Sequence, residues 1–142
     1  MSDARITSPQ FKKRLADLCV TGGLTGLPRR PADREILYTG VLITLPQDRT
    51  FTQPQLNAEL GSWLARIAES LEVDHVTLRR EMVDRGFLLR ETDGSQYRAV
   101  VPEWWNTAFE PDVLDVDVAE VVERERMKRR ERKREHVGGQ SR

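Results

Sequence analysis

TLRREMVDRGFLLRETDGSQYRAV, residues 77–100, carries three structural signals in succession. Leu78, Met82 and Val83 recur at helical spacing. Gly86 stands where a left-handed residue ends a helix, and Phe87 follows as the apolar contact of that stop. FLLRE and SQYRAV then read as two strands around Asp93-Gly94, a dipeptide that predicts a type I′ turn because both central residues need positive φ. Helix, glycine stop and hairpin outline a recognition helix over 74–85 and a wing over 87–100.

Upstream, the chain supplies the remaining parts of such a domain. Ser8 before Pro9 predicts a helix start, with Phe11, Leu15 and Leu18 as its apolar stripe and Gly22-Gly23 as its end. TGGLTGLPRRP is a connection rich in helix breakers. A second helix is expected from about Asp33 to Leu45, stopped by Pro46. RTF at 49–51 is short enough for a minimal third strand. Thr52 with Gln55 forms a capping-box pattern, and Leu56, Leu60, Leu64, Ile67 and Leu71 continue as a long amphipathic stripe. Asp74 caps the helix that follows.

The predicted fold is therefore mainly α with a small β-hairpin: a winged helix-turn-helix with an N-terminal helix and a charged helical C-terminal extension. The expected organisation is an N-terminal helix and linker over 1–30 and the winged-helix domain over 31–101. An acidic, aromatic segment over 102–119 and a charged helical or disordered tail over 120–142 complete it.

TQPQLNAEL, followed by DHVTLRREMVDRGFLLRETDGSQYR, resembles a prokaryotic domain-of-unknown-function family found alone or appended to transcriptional regulators. Asp74, Leu78, Arg79, Arg80, Val83, Asp84, Gly86, Asp93, Gly94 and Tyr97 fit that family's pattern, and the likeness spans roughly residues 33–100. The resemblance implies a winged-helix fold and transcriptional regulation, with no enzymatic activity attached. GSWLARIAESLEV departs from it by making the link between the last two helices about two turns longer.

A wheel of about 100° per residue separates the two adjacent arginines. Arg79 falls inside the apolar arc beside Leu78 and Met82, where an unpaired guanidinium would be costly, so a structural ion pair is expected of it. Thr77, Arg80 and Asp84 point the other way, toward any groove the helix enters. Arg80 offers a planar fork to guanine or phosphate oxygens, although Asp84 one turn on could instead pair with it. In the wing, Arg90 and Arg98 flank Asp93-Gly94. The predicted DNA contacts are thus Thr77, Arg80, Arg90 and Arg98, with Tyr97 packing under the wing.

Charge is balanced in total, with 23 basic and 23 acidic residues, but not along the chain. Residues 1–29 hold 5 basic and 2 acidic groups, 30–101 hold 9 and 11, 102–119 hold none and 5, and 120–142 hold 9 and 5. The slightly acidic recognition region argues against strong unassisted DNA binding. The acids of 103–119 are expected to lie near it and temper its affinity. From Arg124 to Arg134, 8 basic residues stand against 2 acids, either a phosphate-tracking arm or a solvated helix held by glutamate–arginine pairs. Trp104 and Trp105 are expected to fold back on their own domain.

Cys19 is the single cysteine, so an intramolecular disulfide is impossible and a reducing cytoplasm is expected. No apolar run approaches the roughly 20 residues of a membrane span, and MSDARITSPQF lacks the apolar core of a secretory signal. His75 and His136 lie on separate segments, and no metal-ligand, phosphate-loop or nucleophile spacing stands out, so neither catalysis, a metal nor a cofactor is expected. The function expected is DNA-binding transcriptional regulation. The alternative is a winged-helix protein-interaction module docking through Trp104/Trp105 or the charged tail, with a protein partner over 103–127. RNA binding through the tail is a weaker third reading.

Overall fold

The computed structural model describes residues 4–21 and 26–140, with side chains to residue 135. The expected stop at Gly22-Gly23 and the side chain of His136 lie outside that range. The elements in order are α1 (Ser8–Val20), α2 (Pro31–Thr44), β1 (Thr50–Thr52), α3 (Gln53–Arg66), α4 (His75–Asp84), β2 (Leu88–Arg90), β3 (Gln96–Ala99), α5 (Trp105–Ala108), a 3-10 turn (Pro111–Asp115) and α6 (Val118–Gln140). From α2 to β3 this is a winged-helix arrangement: three helices and a three-stranded antiparallel sheet ordered β1-β3-β2.

Local chemistry accounts for most boundaries. Thr52 ends β1 and opens α3, exchanging both capping-box hydrogen bonds with Gln55. Asp74 accepts from the Thr77 amide at 2.7 Å and caps α4, which holds its carboxyl below the usual carboxylate range. At the far end of α4, Phe87 N–H donates to Met82 and Gly86 N–H to Val83, the paired bonds of a Schellman stop. Gly86 makes it possible with φ +87°.

Five expectations shift. The cap of α1 is Thr7, not Ser8; either choice keeps Pro9 in the first turn, but Thr7 has Gln10 three residues on to return the capping-box bond, where Ser8 would have Phe11. The second helix starts at Pro31, and the minimal strand lies one residue later than 49–51. The α3 stripe breaks at Arg66, so Ile67 and Leu71 reach the core from the linker. The wing turn is not type I′: Gly94 has φ +75°, but the φ of Asp93 is not positive. Asp93 instead turns its carboxylate onto Ser95 N–H and Oγ, and Gly94 N–H closes on Glu91 C=O. The pairing that Asp93-Gly94 predicted survives, with Arg90 opposite Tyr97.

One core runs through the whole assembly. Phe11 and Leu15 of α1, Leu37 and Tyr38 of α2, Leu56 and Trp63 of α3, and Leu78 and Met82 of α4 join Phe87 and Tyr97 of the wing. Trp105, Phe109, Val113, Val118 and Val122 belong to the same cluster, so the C-terminal segment packs into it. Asp33 anchors α1 to α2 by accepting two 2.8 Å hydrogen bonds from Arg14, and that fork holds its carboxyl low. No helix among the described residues is long and apolar enough to cross a membrane.

Candidate nucleic-acid interface

Helix α4 is tethered on its buried flank. Tyr38 Oη of α2 donates to Glu81 Oε1 at 3.1 Å, and Glu35 of α2 pairs with Arg85 at the end of α4. Burial first, and the Glu81 charge second, push the Tyr38 hydroxyl pKa up, so it stays protonated and remains a donor. Trp104 Nε1 donates to Arg85 C=O at 3.1 Å, satisfying a carbonyl at the helix end. Its ring meets Phe87 edge-on, and Phe87 meets Tyr38 the same way. These contacts hold the axis of α4 and leave Thr77, Arg80 and Asp84 exposed.

Between α4 and the wing lies an open cleft of about 400 Å³ lined by Gln53, Arg79, Arg80, Val83, Asp84, Arg90 and Tyr97. Arg90 is laid across the wing: its guanidinium stands 5.9 Å over the Tyr97 ring and passes against Gly94, where a Cβ would come within 2.8 Å of Nη2. Tyr97 is fixed from below by its hydroxyl donating to Gln53 Oε1 at 3.0 Å. None of Arg79, Arg80 and Arg90 makes an ion pair among the described residues. The Arg80–Asp84 pair that would have reduced Arg80 to a solvated surface residue does not form.

Arg79 departs from expectation. It makes no ion pair; its Nη1 donates to the neutral amide oxygen of Asn57 on α3 at 2.6 Å. A half-buried guanidinium needs acceptors for its N–H groups, and an amide supplies one without desolvating a second charge. Arg79 therefore keeps its charge uncompensated and faces the same cleft as Arg80.

The predicted contacts are only partly gathered. Arg80 and Arg90 meet at the cleft, and Thr77 lies one turn from Arg80 on the exposed side of α4. Arg98 is on the other face of the wing: it opposes Leu89 and Thr50 in register, whereas Arg90 opposes Tyr97. Gln53 and Asn57 were missed. The signal was present in the capping box, which places both on the first turns of α3, the helix preceding α4.

Trp104 and Trp105 fold back as expected. Trp105 is 0% exposed, stacked on Phe109 with centroids 5.0 Å apart, and donates to Thr39 Oγ1 at 3.1 Å, so it presents no surface to a partner. The acids of the following segment are not beside α4. Asp112, Asp115 and Asp117 line a depression with Ser8 and Lys12 of α1, because Val113, Val116 and Val118 sink into the core next to that helix.

Other chemistry is sparse. Cys19 is 1% exposed, and burial pushes its thiol up to about 12, the state of an inert core residue. Among the described residues no His, Cys, Asp and Glu cluster is arranged to hold a metal ion. No curated protein and no solved structure matches the chain. Residues 23–99, from the α1–α2 connection to the end of the wing, match the family described as uncharacterized proteins conserved in bacteria (DUF2087), and the chain belongs to that family.

Proposed function

We propose that this protein is a cytoplasmic DNA-binding transcriptional regulator that contacts duplex DNA with α4 and the wing. The observation that supports it is the convergence of Arg79, Arg80 and Arg90 on one open cleft, without carboxylate partners. In this reading the exposed side of α4 enters a groove, Arg80 reaches a base edge or phosphate, and Arg90, laid over Tyr97, takes a backbone phosphate at the cleft. Thr77 makes a lesser polar contact, and Arg98 meets a neighbouring phosphate from the outer wing face. Phosphate is directed to the cleft rather than to the α4 N-terminus, because Asp74 already occupies that end as its cap.

Genome-wide capture of DNA by the native protein tests the proposal. Reproducible enrichment at promoters, lost with Arg80→Ala, is the expected result. Recovery of protein partners with no enriched DNA would favour the docking reading instead.

A further inference from the structure

α6 changes character along its length. Its first half is self-compensated: Arg124 pairs with Glu120 at 2.6 Å, Arg126 with Glu123 at 3.6 Å, and Arg129 with Glu125 at 2.8 Å. This acid-before-base order at three or four residues is the one that supports a helix. The same half is bolted to the body. Arg126 Nη2 donates to Arg66 C=O and Ile67 C=O at the end of α3, and Arg129 reaches Asp17 of α1.

Beyond it the pattern reverses. Lys128 and Arg132, Arg129 and Lys133, and Arg130 and Arg134 set cation over cation one turn apart, an arrangement that works against a helix. Arg130 still pairs back with Glu123 at 3.2 Å, but Lys128, Arg132, Lys133 and Arg134 have no ion-pair partner among the described residues, and residues 130–135 are exposed on every side. The helix C-terminus does not account for these charges, since α6 continues to Gln140, more than a turn past Arg134. No apolar face explains this stretch either, because after Met127 nothing apolar occurs before Val137.

We propose that the outer part of α6, through its unpaired Lys128, Arg132, Lys133 and Arg134, forms a basic arm that binds the phosphate backbone of duplex DNA without reading its sequence. A polyanion would supply the compensation that the first half of α6 finds within itself. Arginine and lysine around most of the helix suit a ligand met at several angles. The choice of duplex DNA rests on the reading of α4 and the wing; the arm's uncompensated charge does not.

The test uses the full chain, a Lys128→Gln/Arg132→Gln/Lys133→Gln/Arg134→Gln variant, an Arg80→Ala/Arg90→Ala variant, and the combination. Each is titrated with mixed-sequence duplex across a salt series. The arm substitutions should flatten the log affinity–log salt slope by about 0.9 for each phosphate contact removed, in both backgrounds. Glu131→Gln/Glu135→Gln should tighten binding, a change of opposite sign that misfolding would not produce. An unchanged slope in the arm variant, with affinity lost in the Arg80/Arg90 variant, would overturn the arm and leave the α4–wing reading standing. Flattening in both backgrounds with no effect of Arg80 or Arg90 would do the reverse. Binding of phosphatidylserine vesicles but not duplex, abolished by the arm substitutions, would overturn the choice of nucleic acid.

Discussion

Two hollows of similar size face solvent on this protein, and both are rimmed by cations. The cleft between α4 and the wing encloses about 400 Å³, and the groove between α1 and α6 about 350 Å³. In the groove, Lys12, Lys13, Arg124 and Lys128 share the rim with Glu120 and Glu125; Arg124 is paired within it, and Glu125 is taken by Arg129. In the cleft, Arg79 and Arg90 are held by neutral groups instead, an amide for the first and an aromatic ring beside a glycine for the second, and Asp84 on the same rim pairs with none of the three arginines. Counting cations alone would rank the groove first. Pre-positioning reverses the order: among the described residues Lys12, Lys13 and Lys128 of the groove are unpaired but no hydrogen bond fixes them, whereas a guanidinium already fixed in place and lacking an anion loses little on meeting a phosphate.

The largest effect should fall on both hollows together. Trp105→Ala removes a fully buried indole from the core they share and should cost about 3–5 kcal/mol, lowering the melting temperature in one transition. A wing that melted at the parental temperature would show the two regions to be separate folding units.

Substitution at the rims should split them. Arg80→Ala and Arg90→Ala are each expected to weaken duplex binding by about 1–3 kcal/mol, with melting curves unchanged. Lys12→Ala and Lys13→Ala should bind as the parent does. Equal losses at both rims, read by fluorescence anisotropy, would erase the distinction.

Gly94 sharpens the comparison from the backbone side. Gly94→Ala places a methyl against Arg90 and forces a left-handed alanine, a strain of roughly 1–2 kcal/mol. Gly94→Asn tolerates the backbone better but still displaces Arg90. Binding should fall in both variants and stability chiefly in the first. Full binding by Gly94→Asn would show that the pose of Arg90 is immaterial.

Asp33→Asn loosens α1, one wall of the groove, and should cost about 1 kcal/mol, less than a fully buried charged hydrogen bond because Arg14 remains 44% exposed. The sign with pH follows from the lowered carboxyl of Asp33. Its contribution is fully present above the unfolded value near pH 4 and fades as pH falls through the lower folded value. Denaturant melts at descending pH should show a shallower acid limb in the variant. Least of all, Glu120→Gln breaks a pair exposed at both ends, and its effect should stay below about 0.5 kcal/mol.

Much of this arrangement is legible in the sequence where the controlling interaction is local. The Thr52–Gln55 box, the Asp74 cap and the Gly86 stop each involve residues within five positions, and each stands where its motif placed it. The separation of Arg90 from Arg98 was also within reach: a turn centred on Asp93-Gly94 sets Arg90 opposite Tyr97, and alternation then turns Arg98 outward. The turn type was not, because Asp93 had a competing use for its carboxylate on Ser95. Nor was the partner of Arg79, since Asn57 lies 22 positions away and nothing local distinguishes an amide from a carboxylate there. The placement of the acids beside α1 depended on where Trp105 and Phe109 enter the core, a packing decision spread over four elements.

Backbone amide NMR of the full chain, titrated at low salt with mixed-sequence duplex DNA, tests the α4–wing interface most directly. Shift changes should concentrate at Thr77, Arg80, Arg90 and Gly94, with a second set along the arm at Arg132, Lys133 and Arg134, and leave Lys12, Lys13 and Ala16 of the α1–α6 groove unmoved. Changes centred on the groove, with α4 and the wing silent, would contradict the assignment of that interface.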